Sequence, residues 1–418
     1  MHIDSRLFSG ACACSHTHNV FTRDVRIARG AVASLPALLS GYGFHAPCVI
    51  CDSNTYLAAG RQVHAMLQGN LVCLPADGLH ADECAVEGAQ SRLPDGVDLL
   101  VAVGAGTVHD VTRFCAHARG IPFLSVPTAA SVDGFSSTVA AMTWKGLKKS
   151  FTAVAPFAVV ADTDIFKNAP YRLTASGISD LMGKYIAIAD WRIAHIVTGE
   201  YICERVCAMA LEAVETTRSC LSRLRAGDDT AYENLMYGLL ISGLAMQMVG
   251  NSRPASGAEH HLSHLWEMEV LNPHIDALHG EKVSVGLMHC VYLYQRAKQD
   301  IRAGRCNAIY YAGLEQGLLR EAFPQEDRYQ GILEENRPDP LLGIDPSELE
   351  AALPAIVQVL DQLPSAQQLD ALLAQGGCTR SMADIGLHDN LIEKSICLSP
   401  YVRNRVTFLR LMKMLQFA

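Results

Sequence analysis

The chain has 418 residues, too many for one average core, so two domains are the default expectation. Half of the residues are apolar and 18% are charged, the balance of a folded globular protein rather than a disordered one. A formal charge of −9 argues against nucleic acid or an anionic membrane as the main partner, and no apolar run reaches the ~20 residues a membrane helix needs. The N-terminus, MHIDSRLFSGACACSHTH, has no basic start and no long apolar segment, so no secretory signal is expected. The 14 cysteines are scattered, and Cys48, Cys51, Cys73, Cys115 and Cys290 lie in apolar surroundings. They read as small buried thiols in a reducing, cytoplasmic setting. Cys12, Cys14, His16 and His18 alternate like a metal-binding tail, but the spacing matches no standard zinc motif, and residues 1–23 read as a ragged N-terminal extension.

From residue 24 short apolar runs alternate with helical patterns. DVRIA (24–28), PCVIC (47–51), NLVCL (70–74), VDLLVAVG (97–104) and IPFLSVP (121–127) are expected strands. Helices are expected at 30–43, 55–67, 82–92 and 107–118 between them. Continuous apolar strands alternating with helices predict a parallel sheet covered on both faces. STVAAMTW and SFTAVAP flank KGLKK as a β-hairpin within 136–161, and FAVVAD (157–162) returns as a buried strand. From residue 171 onward only helical patterns are found, at 177–199, 200–225, 229–250, 258–270, 279–303, 305–321, 346–362, 366–375 and 401–416. PDPLLGIDP (338–346) reads as a surface loop. The expected division is an α/β, Rossmann-like domain over 24–167 and an all-helical domain over 168–418.

Three stretches carry chemistry. VAVGAGTVHD (101–110) is a buried strand, a Gly-x-Gly turn and a helix start. Such glycines let the backbone approach a pyrophosphate at a helix N-terminus, and they also serve plain helix-packing turns. Past the next strand, Thr128, Ser131 and Ser137 offer hydroxyls where open α/β sheets bind ligands; turn and cap chemistry is the alternative. Asp52, directly after PCVIC, can accept ribose hydroxyls and would repel a 2′-phosphate, which favours NAD over NADP. Its alternative role is an Asx turn with Ser53 and Asn54.

GISDLMGKYIAIADW (177–191) has a buried stripe of Ile178, Leu181, Met182, Tyr185, Ile186 and Ala189, with Asp180 in what reads as a first helical turn. Asp180 is a candidate metal carboxylate, a helix-dipole partner, or an i,i+4 mate of Lys184. Residues 256–280 hold five of the 16 histidines: His260, His261, His264, His274 and His279. His260 and His264 are four apart and share a helix face, and Glu259 does not stand where a zinc-protease helix has its glutamate. The density of imidazole points to an open divalent-metal site. Periodicity leaves His260 and His264 tied as ligands.

The GxGT-x-x-D turn, PTAASVDGFSS, GISDLMGK, RPASGAEHHLSH and HGEKVSVG together resemble the glycerol-1-phosphate dehydrogenases, within the iron-containing alcohol dehydrogenase and dehydroquinate synthase superfamily. The resemblance runs in order from Asp24 to Gly286 and continues more weakly through the C-terminal helices. It implies a Rossmann-like domain and a helical domain with the active site in the cleft. It implies Asp180, His260 and His279 as ligands of one divalent metal, zinc or nickel, with iron in more distant relatives. Asp133, Asp180 and His264 match substrate positions. Asp52, Gly106, Thr107, Val108, His109, Asp110, Thr128, Ala129, Ala130, Ser131 and Ser137 match cofactor contacts. His261 and His274 are left as bystanders. Gly104-Ala105-Gly106 departs from the GGG or GSG of relatives, a change small enough to keep the turn.

The implied reaction is the reversible reduction of dihydroxyacetone phosphate to sn-glycerol 1-phosphate by NADH or NADPH, in a homodimer. Lys145, Lys148, Lys149 and Lys184 are candidates for the substrate phosphate. The rivals are a glycerol dehydrogenase, a 3-dehydroquinate synthase (which has Glu where this chain has Asp180), a non-catalytic nucleotide-binding protein, and a protein whose histidines are purely structural.

Overall fold

The computed structural model describes residues 1–418. Its strands are β1 (His2–Ile3), β2 (Gly10–Ala11), β3 (Thr17–His18), β4 (Asp24–Ala28), β5 (Pro47–Asp52), β6 (Asn70–Leu74), β7 (Leu99–Gly104), β8 (Phe123–Pro127), β9 (Val139–Trp144), β10 (Leu147–Thr152), β11 (Ala158–Asp162), β12 (Cys306–Ala308) and β13 (Leu415–Phe417). Seven of them form one sheet in the order β1-β4-β11-β8-β7-β5-β6. Every pair is parallel except β1 with β4.

The unbroken apolar runs of the inner strands follow from burial on both faces. Along β7, Leu100 and Ala102 face one core with Cys48, Ile50, Val111 and Cys115. Leu99, Val101 and Val103 face the opposite core with Leu35, Leu39, Val49 and Val63. Alternation across a strand thus supplies both layers. The chain steps outward from β5 to β6, then returns to β7 on the other side of β5. The carboxyl ends of β5 and β7 therefore flank a topological switch point, where open α/β sheets leave a crevice for ligands.

The N-terminal segment is not ragged. Ile3 pairs with Val25 and extends the sheet, while Gly10 and Ala11 pair with His18 and Thr17 in a small hairpin. The expected β9–β10 hairpin is present, with its turn confined to Lys145 and Gly146, both at positive φ (51° and 72°). That pair suits the tight turn of a two-residue hairpin. The expected 177–199 helix is two helices, Tyr171–Met182 and Lys184–Thr198. The expectation of no strand after residue 171 fails at β12 and β13, which pair antiparallel, Cys306 opposite Phe417. Three-residue strands show no period, and their pairing spans over a hundred residues.

The chain divides into two compact units. The first comprises residues 1–144, 149–181 and 208–252; the second comprises 145–148, 182–207 and 253–418. By element type the helical part begins at Tyr171, yet the Asp229–Val249 helix belongs with the sheet. Its Ser242, Gln247 and Met248 all bond to the first unit's loops and N-terminal segment.

Candidate active site

In the first unit, β5 and β7 run in register, with Ile50 opposite Ala102, and each ends two residues further on, at Asp52 and Gly104. Asp52 Oδ1 accepts the Asn54 and Thr55 backbone N–H groups at 2.8 Å, so the turn reading of this residue is real. Oδ2 takes part in neither bond. Gly104 is required by packing: a Cβ there would lie 2.5 Å from the Val108 Cβ, so helix and strand could not close together. Gly106 opens the Gly106–Arg119 helix and Thr107 follows it, at the carboxyl end of the strand.

The ring of His109 is spent inside the fold. Its Nδ1 lies 2.9 Å from the Ala105 carbonyl and its Nε2 2.8 Å from Ser125 Oγ. Burial pushes its pKa down to about 3, against the Ala105 hydrogen bond and with help from the Arg113 charge. His109 therefore ties the glycine turn to β8 through both ring nitrogens. Asp110 pairs with the wholly buried Arg113, which also donates to the Gly134 and Val139 carbonyls. Ser137 Oγ accepts the Val139 N–H at 2.9 Å, so this hydroxyl serves a turn. Thr128 N–H donates to the Gly104 carbonyl at 3.0 Å, holding the 128–131 loop beside the glycine turn. Ala129 and Ala130 are buried, and the buried Ser131 Oγ has no hydrogen-bond partner.

Asp180 sits in the last turn of the Tyr171–Met182 helix, not in a first turn, which removes the N-terminal dipole reading. Its neighbourhood in the first unit is tightly set. A Cβ on Gly177 would stand 2.1 Å from the Ala130 carbonyl oxygen, and Ser176 Oγ donates to the Ser131 carbonyl at 3.1 Å. The Asp133 N–H donates to Asp180 Oδ2 at 2.9 Å. Asp133 in turn accepts Ser242 Oγ at 2.7 Å. Lys184, wholly buried, donates Nζ to the Ala255 carbonyl at 2.9 Å, so it is no solvated lysine.

In the second unit the Ala258–Glu267 and His279–Arg302 helices pack against one another. His260 and His264 share a face of the first, and His279 opens the second, whose Glu281 caps the Leu278 N–H at 2.7 Å. The ring centroids of His260 and His279 are 5.2 Å apart, and His264 lies 5.9 and 5.6 Å from them. His260 Nδ1 is 2.7 Å from Glu259 Oε1, and His279 Nδ1 is 2.7 Å from Glu267 Oε1. With Nδ1–H donating to a carboxylate, Nε2 is the lone-pair nitrogen of each ring, the tautomer that ligates metals. His264 has no such anchor: its buried Nδ1 has no partner.

Charge around the cluster is asymmetric. Lys148 Nζ stands 2.9 Å from Glu267 Oε2, an ion pair not aligned as a hydrogen bond. Burial would raise the Glu267 pKa, but the Lys148 and His279 charges outweigh it and hold the carboxyl well below its usual range. Burial drives His264 well below its ordinary pKa, opposed by Glu267 and aided by Arg403, so its ring is neutral. Arg403 donates Nη1 to the Lys148 carbonyl at 2.7 Å, and its buried Nη2 has no partner. His264, Glu267 and His279 also have ligand atoms within 4.8 Å of one another. A metal shared among those three would break the Glu267 contacts with both His279 and Lys148, whereas in the structure Glu267 is the hydrogen-bond partner of His279. His261 is buried with neither ring nitrogen bonded, and His274 is exposed beside Glu269.

Comparison with known proteins gives the family. Residues 26–170 match the family model described as iron-containing alcohol dehydrogenase. A glycerol-1-phosphate dehydrogenase, NAD(P)+, of Geobacillus stearothermophilus is 34% identical over 417 residues, covering 97% of this chain and 96% of that protein. The chain belongs to the glycerol-1-phosphate dehydrogenase family. A protein of the same name from Pyrococcus furiosus is 33% identical over 310 residues, covering 72% of this chain and 89% of its own length. Among solved structures, a probable glycerol dehydrogenase from Sinorhizobium meliloti 1021 superposes with a TM-score of 0.61 at 18% identity, covering 92% of this chain and 90% of that one. Glycerol dehydrogenase from Schizosaccharomyces pombe gives 0.56 at 19% identity, covering 85% and 92%. These two share the fold: a mostly parallel sheet followed by a helical part. The 97% coverage exceeds what residues 24–418 alone supply, so the likeness reaches into the N-terminal segment.

Within this family of NAD(P)-linked oxidoreductases, sequence reasoning named Glu259 without its contact to His260, and it missed Glu267 and Arg403. Glu267 carried a readable signal, since 260, 264 and 267 recur on one helix face. Arg403 carried none, because it comes from a segment more than a hundred residues further on.

Proposed function

We propose that this chain interconverts dihydroxyacetone phosphate and sn-glycerol 1-phosphate with NADH or NADPH. The observation that carries the reading is the pair of imidazoles 5.2 Å apart, each with Nδ1 held by its own carboxylate. Such pairing serves a metal and has little use in a packing role. Asp180 supplies the carboxylate of the set, so that one divalent ion, zinc or nickel with iron as the other option, would be held by Asp180, His260 and His279. When bound, the metal supplies a Lewis acid at the substrate carbonyl and the nicotinamide supplies hydride.

The remaining work falls to the chain. Residues 24–167 bind the dinucleotide, with Gly106 and Thr107 at the pyrophosphate and the unpartnered Ser131 hydroxyl facing the cofactor. Asp52 Oδ2 accepts ribose hydroxyls and disfavours a 2′-phosphate, so NAD(H) is preferred. Residues 168–418 supply metal and substrate groups. Asp133 and the neutral His264 orient substrate hydroxyls, and His264 can accept or return a proton at nitrogen. Lys148 and Arg403 favour a phosphorylated substrate over free glycerol, since the Arg403 Nη2 is buried and awaits an acceptor. A cytoplasmic homodimer is part of the same proposal, and a solution mass of twice one chain tests the dimer.

The deciding assay follows nucleotide absorbance with metal, NADH and dihydroxyacetone phosphate, beside a parallel run with glycerol and NAD. Turnover of the phosphorylated pair supports the reading. Turnover of glycerol alone overturns it, and chiral analysis of the product tests the sn-1 assignment.

A further inference from the structure

The N-terminal hairpin gathers a second set of ligating groups away from the site just described. Its turn is built by the Ser15 N–H donating to the Cys12 carbonyl at 3.0 Å and the Cys12 N–H donating to the His16 carbonyl at 3.0 Å. Ser15 sits at φ 66°, folding the chain tightly enough to bring both thiols to one side. Cys14 Sγ lies 3.5 Å from His18 Nε2. The ligand atoms of Cys12, Cys14 and His18 all fall within 4.8 Å of one another. His18 is 1% exposed, and its Nδ1 is 2.7 Å from the Met248 carbonyl oxygen.

We infer that Cys12, Cys14 and His18 bind a zinc ion that fastens the N-terminal segment to the Asp229–Val249 helix. The geometry favours this over a chance contact. Zinc–sulfur and zinc–nitrogen bonds of about 2.3 and 2.0 Å give a tetrahedron whose edges are roughly 3.5 Å, the Cys14–His18 separation. A carbonyl acceptor on Nδ1 fixes the tautomer that turns the Nε2 lone pair toward Cys14, the outer-sphere arrangement that metal-ligating histidines show. Two thiolates and an imidazole form a soft set that suits zinc, and binding sends the two thiol protons to solvent. His16 takes no part, since it is exposed with Nδ1 at the Cys14 carbonyl. The fourth position goes to another thiol or to water. The anchored helix also carries Ser242, which bonds Asp133, and Gln247, which receives the Phe21 N–H at 2.8 Å. The ion therefore braces the wall on which a proposed substrate residue rests.

Cobalt loading of the full chain in a His260→Ala background tests the site without the first one. One equivalent of Co²⁺ with an intense near-ultraviolet sulfur-to-metal band is expected, and Cys14→Ser should abolish the band. No sulfur band, or a band that survives both Cys12→Ser and Cys14→Ser, overturns the inference. The unmodified protein offers a check that needs no variant to fold. With zinc bound, Cys12 and Cys14 should alkylate at least about tenfold more slowly than after chelation. Equal rates overturn the inference, and a third shielded cysteine would identify the fourth ligand.

Discussion

Glu267 holds His279: its Oε1 lies 2.7 Å from His279 Nδ1, while its Oε2 faces Lys148 Nζ at 2.9 Å. One carboxylate thereby sets the tautomer of a proposed ligand and pairs with the Lys148 cation. Glu267→Gln removes the charge and keeps the shape. Metal affinity should drop about 10- to 100-fold by chelator competition, the usual effect of losing an outer-sphere partner. Unchanged affinity would detach Glu267 from the metal.

Neighbouring histidines should behave in opposite ways. His260→Ala is expected to lose the metal and to lower kcat/KM by about a thousandfold or more, the several kcal/mol a Lewis acid supplies. His261→Leu should retain both, because the buried His261 nitrogens bond to nothing. Replacing an unsatisfied buried ring with an apolar group is expected to leave stability equal or raise it by about 1 kcal/mol. Metal analysis and thermal melts of the two variants give the answer, and equal metal loss in both would dissolve the distinction.

Phosphate recognition should split the kinetic constants. Arg403→Met removes a buried guanidinium whose Nη2 has no protein acceptor. A charged hydrogen bond is worth about 1.5–3 kcal/mol, so KM for dihydroxyacetone phosphate should rise roughly 10- to 150-fold. Any residual rate on unphosphorylated dihydroxyacetone should hardly change. An equal loss on both compounds would place Arg403 in the scaffold instead.

His109 makes folding sensitive to acid. Its folded-state pKa is depressed to about 3 from an ordinary 6.5, chiefly by burial. The unfolded chain therefore binds one more proton than the native one between those values. Stability from this group is complete above about pH 6.5 and declines as pH falls toward 3, by an upper limit on the order of 5 kcal/mol. Denaturant unfolding across that window should show a slope that falls by about one proton in His109→Gln, and an unchanged slope would remove this group from the acid response.

Gly177 reverses a usual rule. In a helix, Gly→Ala ordinarily stabilises by about 1 kcal/mol. Here the new Cβ would stand 2.1 Å from the Ala130 carbonyl oxygen, so the helix carrying Asp180 must shift. Gly177→Ala is expected to destabilise by about 1–3 kcal/mol and to weaken metal binding. A melting temperature at or above wild type would show that the contact yields.

The sheet was legible because its strands are buried on both faces, which forces continuous apolar runs such as LLVAVG in β7. The metal-site candidates were legible as residue types, and His264 stood level with His260 because a period of 3.6 puts both on one face. What separates them is Glu259, whose carboxylate reaches the ring of its own neighbour and not that of His264. No periodicity encodes that choice, since it depends on rotamers set by packing.

Elsewhere the tertiary structure alone decided. Asp180 moved from a first turn to a last one because the helix begins at Tyr171, where the sequence has no strong cap. The His109 ring is tied to Ser125, sixteen residues away, and His18 is buried with its ring at the Met248 carbonyl, 230 residues along the chain. The sequence by itself determined the layers, the nucleotide-side turn and the list of chemical groups, all properties of local pattern. Which imidazole nitrogen is held by a carboxylate, which hydroxyl is left without a partner and which guanidinium nitrogen stays unbonded are settled by contacts between distant segments, and those exist only once the chain has folded.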